Sequence, residues 1–214
     1  MGKSENADNR SKAEKFWDRT AGSYTSSREI KRGKNTLRLI EQAKKHVKTT
    51  DNVLDFGCGT GFISERISES VQSIHAIDFS SRMIDYATRN SERTNIDYWH
   101  TTIFDERLKP GSYDVIFSFY ILHLLDDPQK AIQRLEELLK PGGVFLSVTP
   151  CMGEKLFLKG LLSLFCKLGA IPKIEMYRSG ELVKLIEEGG FIIQTNNRFP
   201  NTTNQYFVLA TKSK

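Results

Sequence analysis

The chain has 214 residues, 39% hydrophobic and 27% charged, enough apolar side chain for one sizeable core and too little charge for a disordered polyelectrolyte. Its 31 Lys and Arg exceed its 26 Asp and Glu for a net charge of +5. The basic residues are dispersed, enriched only from Arg28 to Lys48, which reads as a solvated helix face rather than a nucleic-acid tract. Cys58, Cys151 and Cys166 lack C-x-x-C spacing and the four histidines lack metal-ligand spacing, so neither a disulfide framework nor a metal site is expected.

Residues 1–13 offer almost nothing apolar and are expected to form a flexible arm without the apolar core of a secretory signal, consistent with a cytoplasmic location. Order is expected from Phe16-Trp17, and 14–214 reads as a single domain with no internal repeat. Its first part, 14–50, reads as N-terminal helices, the second carrying Leu37, Ile40 and Val47 on one face. Val53, Leu54 and Phe56 then form a short apolar strand that stops at Gly57, Gly59 and Gly61, before an amphipathic segment from Phe62 to Ser70. Glycines there allow a sharp turn and a close approach to a ligand. A second strand, Ile74 to Ile77, ends in Asp78, at about the 20-residue distance where an acid holds a ribose hydroxyl pair.

These features point to an adenosine-containing cofactor. A dinucleotide fingerprint needs a third glycine where Phe62 stands. Asp55, just before the glycines, would repel a pyrophosphate and suits a cationic ligand. S-adenosylmethionine, with a sulfonium and an ammonium and no phosphate, meets both conditions. The stretch Asp55-x-Gly57-x-Gly59-x-Gly61 with Asp78 resembles the signature of class I S-adenosylmethionine-dependent methyltransferases, of the small-molecule, type 11-like kind. The resemblance implies that Asp55, Gly57, Cys58, Gly59 and Gly61 wrap the methionine part of the cofactor, and that Asp78 takes the ribose. It also implies that Trp17 and Tyr24 belong to a lid over it.

Beyond Asp78, Ser80 is placed to cap a helix whose apolar stripe is Met83, Ile84 and Ala87. By resemblance, Phe79 and Met83 flank the adenosine. Ile96 to His100 reads as the third strand. Where relatives hold the adenine amino group with an acid, this chain has Thr101 and Thr102, so that contact falls to Thr102 or to the backbone beside Ile103. Tyr113 to Phe119 is the fourth strand, and by resemblance Phe119 faces the transferred methyl group. Asp127-Pro128 opens a helix that Lys140-Pro141-Gly142-Gly143 is expected to end, before a fifth strand from Val144 to Val148. Residues 150–178 look like an insertion that shapes the substrate site. Its apolar part, 156–170, reads as a core helix, a substrate cover or a peripheral membrane contact, and is too short to span. A helix from Glu181 to Glu188, a Gly189-Gly190-Phe191 turn into a strand, and a last strand from Tyr206 to Ala210 close the chain.

The expected fold is therefore α/β: a Rossmann-like methyltransferase fold with a mostly parallel seven-stranded sheet, a terminal antiparallel hairpin and helices on both faces. The expected chemistry is in-line methyl transfer from S-adenosylmethionine, leaving S-adenosylhomocysteine, to a small and partly apolar acceptor. His123, with Tyr120 behind it, is the candidate base where the acceptor must lose a proton. A non-catalytic S-adenosylmethionine-binding protein, an RNA methyltransferase and a nicotinamide oxidoreductase are the alternatives; titration with the methyl donor, its product and NADH separates the first and last.

Overall fold

The computed structural model describes residues 11–24, 28–153 and 173–214, without the side chains of 23–33. Most of the expected arm, the apolar stretch 156–170 and Cys166 lie outside the described residues. The first helix, α1 (Lys12–Tyr24), begins ahead of Phe16 because Ser11 caps it: the Glu14 amide donates to Ser11 Oγ at 3.1 Å. Ser11-x-x-Glu14 is a capping-box sequence, and it starts the helix inside the stretch expected to be a flexible arm.

Next come α2 (Arg28–Lys44), β1 (Asn52–Phe56), α3 (Phe62–Ile67), β2 (Ser73–Asp78), α4 (Ser81–Asn90), β3 (Ile96–His100) and β4 (Tyr113–Phe119). The chain ends with α5 (Pro128–Leu138), β5 (Leu139–Pro150), α6 (Ser179–Glu188), β6 (Phe191–Arg198) and β7 (Gln205–Lys212). The caps read from sequence form: Ser80 Oγ accepts from the Met83 amide, and Asp127 accepts from the Lys130 amide with Pro128 at the first helical position.

One boundary differs from expectation. The helix α5 stops at Leu138, and Lys140-Pro141-Gly142-Gly143 lies inside β5. Lys140 Nζ bridges to Asp114 at 2.7 Å across the register shift between β4 and β5, and a Cβ at Gly143 would lie 2.8 Å from the Lys140 carbonyl oxygen. The segment that turn chemistry alone reads as a stop is thus irregular strand at the register shift, with an ion pair to β4 and no room for a side chain at Gly143.

The seven strands run in the order β3-β2-β1-β4-β5-β7-β6; β1 to β5 pair in parallel, and β7 is antiparallel to both β5 and β6. Apolar residues alternate along the strands, so each face of the sheet has its own core. One contains Leu54, Ile116 and Phe145 against Ile132 and Leu135 of α5 and Ile186 of α6. The other contains Val53, Phe117 and Val148 against Leu39 and Ile40 of α2 and Ile67 of α3. From β1 the chain builds outward through β2 to β3, then returns to lay β4 on β1's other side. The crevice above the β1–β4 boundary is therefore the topological switch point, where ligands of such sheets bind.

Candidate functional site

A cavity of about 760 Å³ opens at that switch point, a size that suits a small-molecule site. The loop after β1 and the end of β2 form one end, through Gly57, Cys58, Gly59, Thr60 and Asp78. Phe79 and Met83, at the start of α4, continue that wall. The turn after β4 and the ends of β5 and β7 form the other end, with Phe119, Tyr120, Ile121, His123, Pro150 and Gln205. Trp17 of α1 and Lys34, Asn35 and Thr36 of α2 roof it.

The glycine loop is built differently from what spacing alone suggests. All three glycines take positive φ, at 78° for Gly57, 55° for Gly59 and 75° for Gly61, a region that L side chains rarely enter. Only Gly59 is bare toward open space, with nothing within 4 Å of an added Cβ. A Cβ at Gly57 would meet Ile121 at 2.9 Å, and one at Gly61 would meet the Tyr98 hydroxyl at 2.5 Å. Protein packing, rather than ligand volume, therefore demands glycine at those two positions.

The loop's amides point inward. Gly57 and Cys58 donate to the Ile77 carbonyl at 2.9 and 3.0 Å, Gly61 donates to the Cys58 carbonyl at 3.1 Å, and Gly59 donates to Asp78 Oδ2 at 2.9 Å. Those four amides are spent inside the protein, and the Asp78 carboxylate beside them disfavours a phosphate at this end of the cavity.

Asp78 is held at the cavity by Gly59 and by the Ser80 amide, which donates to Oδ1 at 2.9 Å. Burial pushes its carboxyl up to about 6, against the two amide hydrogen bonds that favour the charged form. Asp55, in contrast, does not line the cavity. It is buried behind the loop and accepts from Ser64 Oγ at 2.5 Å, which ties β1 to α3. Burial raises its carboxyl to about 6 as well, with Asp78 adding to the rise. Its influence on a ligand is through space.

Of the other residues singled out from sequence, Gly61 packs on Tyr98 away from the cavity lining, Ile103 is buried in the core under α5, and Thr102 is exposed beyond β3. Tyr24 ends α1, and its side chain lies outside the description. Sequence reasoning missed Thr60, Phe62, Ile63, Ile121, Leu124, Pro150 and Gln205 as lining residues. Phe62 and Ile63 were legible as the first turn after the glycines. Gln205 carried no local signal, since only antiparallel pairing with Pro150 brings it to the site.

The cap is fastened by a buried carboxylate. Asp18 of α1, 2% exposed, accepts from Ser80 Oγ at 2.6 Å and from the Arg82 amide at 3.3 Å, and so sits on the positive end of α4. Glu14 Oε1 also lies 3.4 Å from His100 Nε2. These contacts hold Trp17 over the cavity.

His123 sits in a short 3-10 turn, Leu122–Leu124, with its Nδ1 buried and unpartnered. Burial pushes its imidazole down to about 4, so it is neutral at physiological pH. Tyr120 takes φ 61°, a left-handed conformation costing an aromatic residue about 1–2 kcal/mol, and its phenol donates to Gln205 Oε1 at 3.1 Å. No group of three or more His, Cys, Asp or Glu side chains able to hold a metal occurs among the described residues. Nor is any described helix long and apolar enough to cross a membrane.

A switch-point cavity with an acid ending β2 and a glycine turn after β1 fits the class of Rossmann-like S-adenosylmethionine-dependent enzymes. The chain belongs to the methyltransferase domain family, whose model matches residues 47–198, and it is a methyltransferase of the S-adenosylmethionine-dependent kind. It is 29% identical over 163 residues to a ubiquinone biosynthesis O-methyltransferase of Coxiella burnetii, spanning 73% of this chain and 70% of that protein. Its fold matches a chain from the complex between the Haloferax volcanii Trm112 methyltransferase activator and a methyltransferase, with TM-score 0.75, 14% identity and coverage of 92% and 98%. It likewise matches an S-adenosylmethionine-dependent methyltransferase from Mesorhizobium loti, with TM-score 0.69, 18% identity and coverage of 84% and 99%.

Proposed function

We propose that this protein transfers the methyl group of S-adenosylmethionine to an oxygen of a small, planar, largely apolar acceptor. The observation that carries the cofactor half is the Asp78 carboxylate at the cavity, held by the Gly59 and Ser80 amides beside a glycine loop whose Gly57, Cys58 and Gly61 amides bond inward. A carboxylate acceptor suits ribose hydroxyls and a cationic sulfonium and disfavours a diphosphate. In this reading Asp78 accepts from the ribose, Phe79 and Met83 bracket the adenosine, and Gly59 lies open against the methionine part.

When bound, S-adenosylmethionine supplies an activated methyl carbon with a neutral thioether as leaving group. The protein's share is alignment and the exclusion of water. Trp17 closes the roof and Phe119 supports the centre, packed on Phe117 with ring centroids 5.1 Å apart. His123, neutral and lining the acceptor end, accepts the proton that a hydroxyl gives up as its oxygen is alkylated. An imidazole this acidic is a weak base before alkylation begins, so it serves best as a hydrogen-bond acceptor that orients the hydroxyl and takes the proton late.

The oxygen acceptor rests on the apolar lining by Phe119, Ile121, Leu124 and Pro150 and on the likeness to an O-methyltransferase. The test is calorimetry with S-adenosylmethionine, S-adenosylhomocysteine and NADH, followed by a screen of phenols, amines and thiols. Tight binding of the first two, none of NADH, and turnover confined to phenols is the expected result. Retention of NADH alone, or methylation of amines alone, overturns it.

A further inference from the structure

The acceptor end of the cavity contains an arrangement that neither the cofactor nor the proton transfer needs. Along β4, Phe117 and Phe119 face the core that carries α2 and α3, whereas Ile116 faces the opposite core. A regular strand would send residue 120 to the Ile116 side. The left-handed turn at Tyr120, φ 61°, instead throws its ring back onto the Phe119 side. The Tyr120 amide is pinned to the Val148 carbonyl at 2.7 Å.

From there the phenol reaches over the end of β5 to β7, where Gln205 faces the same side as Phe207 and Leu209. Pro150, which pairs in register with Gln205, lies between them and lines the cavity. Tyr120 and Gln205 bond to each other at 3.1 Å, and both line the cavity. With the Tyr120 hydroxyl donating to Gln205 Oε1, the amide nitrogen keeps its hydrogens.

We propose that Tyr120 and Gln205 are a recognition pair that reads a second oxygen on the acceptor, beside the one that is methylated. Among the described residues that line this end, Phe119, Ile121, Leu124 and Pro150 are apolar, and His123, Tyr120 and Gln205 carry the polar groups. A planar ring bearing two oxygens meets both His123 and the pair: one hydroxyl faces His123, and the other accepts from the Gln205 amide. A ring with one oxygen leaves the amide unsatisfied once water is excluded, and a site built to bond a hydroxyl discriminates strongly against an analogue without it. The proposal rests on the oxygen-methylation reading above.

The experiment compares 4-tert-butylcatechol with 4-tert-butylphenol in the full chain with S-adenosylmethionine, by kcat/KM, alongside calorimetry of each compound on protein loaded with S-adenosylhomocysteine. The wild type is expected to favour the catechol by roughly 10- to 100-fold in both readouts. Gln205→Leu should erase most of that preference while leaving S-adenosylhomocysteine affinity unchanged. Tyr120→Phe, which keeps the ring and removes the hydroxyl that holds the amide, should reduce it in the same direction and carries the test should the Gln205 variant fail to fold. An equal preference in wild type, or an undiminished one in the variants, overturns the pair's role and leaves oxygen methylation standing. Turnover of neither compound, with amines methylated instead, brings down both.

Discussion

Asp78 offers the sharpest test of the cofactor site, because its carboxyl titrates at about 6 in the unliganded protein and faces the proposed ribose position. Ribose hydroxyls donating to the carboxylate favour the ionised form. The complex should therefore hold Asp78 ionised well below pH 6. A carboxyl whose pKa is higher free than bound gives affinity that is full above the free value and is lost as pH falls through it.

With a free value near 6, the ionised fraction drops from about nine-tenths at pH 7 to about one-tenth at pH 5, so the dissociation constant for S-adenosylhomocysteine should rise roughly tenfold, or about 1.4 kcal/mol. The product is the right probe, since none of its own groups titrates in that interval. Calorimetry at pH 5, 6, 7 and 8 in buffers of different ionisation heat reads both the affinity and the proton released. Asp78→Asn should bind more weakly at pH 7 and lose the pH dependence. A wild-type affinity that is flat from pH 5 to 7, or an Asp78→Asn profile as steep as wild type, refutes the reasoning.

Other outcomes follow from the same geometry. His123→Gln should cut turnover without weakening S-adenosylhomocysteine binding, and, because His123 is already neutral, wild-type turnover should show no inflection between pH 6 and 8 that the variant abolishes. The depressed His123 value also makes stability fall with pH from the unfolded value of 6.5 toward 4; urea unfolding at pH 4.5 and 7 should show His123→Gln less acid-sensitive than wild type by roughly 2 kcal/mol. Gly61→Ala should destabilise the fold by about 1–3 kcal/mol through the clash with Tyr98, and a Tyr98→Ala background should relieve part of that penalty; additive losses in the double variant would show that the clash is not the cause. Asp18→Ala strands the buried Ser80 hydroxyl and should lower stability by about 1–3 kcal/mol, with faster hydrogen exchange in α1 than in the sheet.

The sequence by itself determined the strand–turn–helix after β1, the acid that ends β2, both read N-caps and the order of strands and helices. Each of these is written in neighbouring residues: a short apolar run, a glycine where φ turns positive, a Ser or Asp before an amphipathic stripe. The family signature in Asp55, Gly57, Gly59, Gly61 and Asp78 was legible for the same reason, since a turn and the strands beside it impose fixed spacings.

What only the tertiary structure decided is what each of those residues faces. Asp55 and Gly61 belong to the motif, yet one binds Ser64 and the other packs under Tyr98, while Gly59 alone among the three glycines is open. Lys140 to Gly143 lies within β5, at the register shift against β4, where Lys140 pairs with Asp114 of that strand, a partner that turn propensity cannot anticipate. Gln205 reached the cavity through antiparallel pairing with β5, 55 positions after Pro150 in the chain. Local spacing encodes backbone conformation, but the partner of a side chain is set by which strands lie side by side, and that is settled only when the whole sheet closes its two cores.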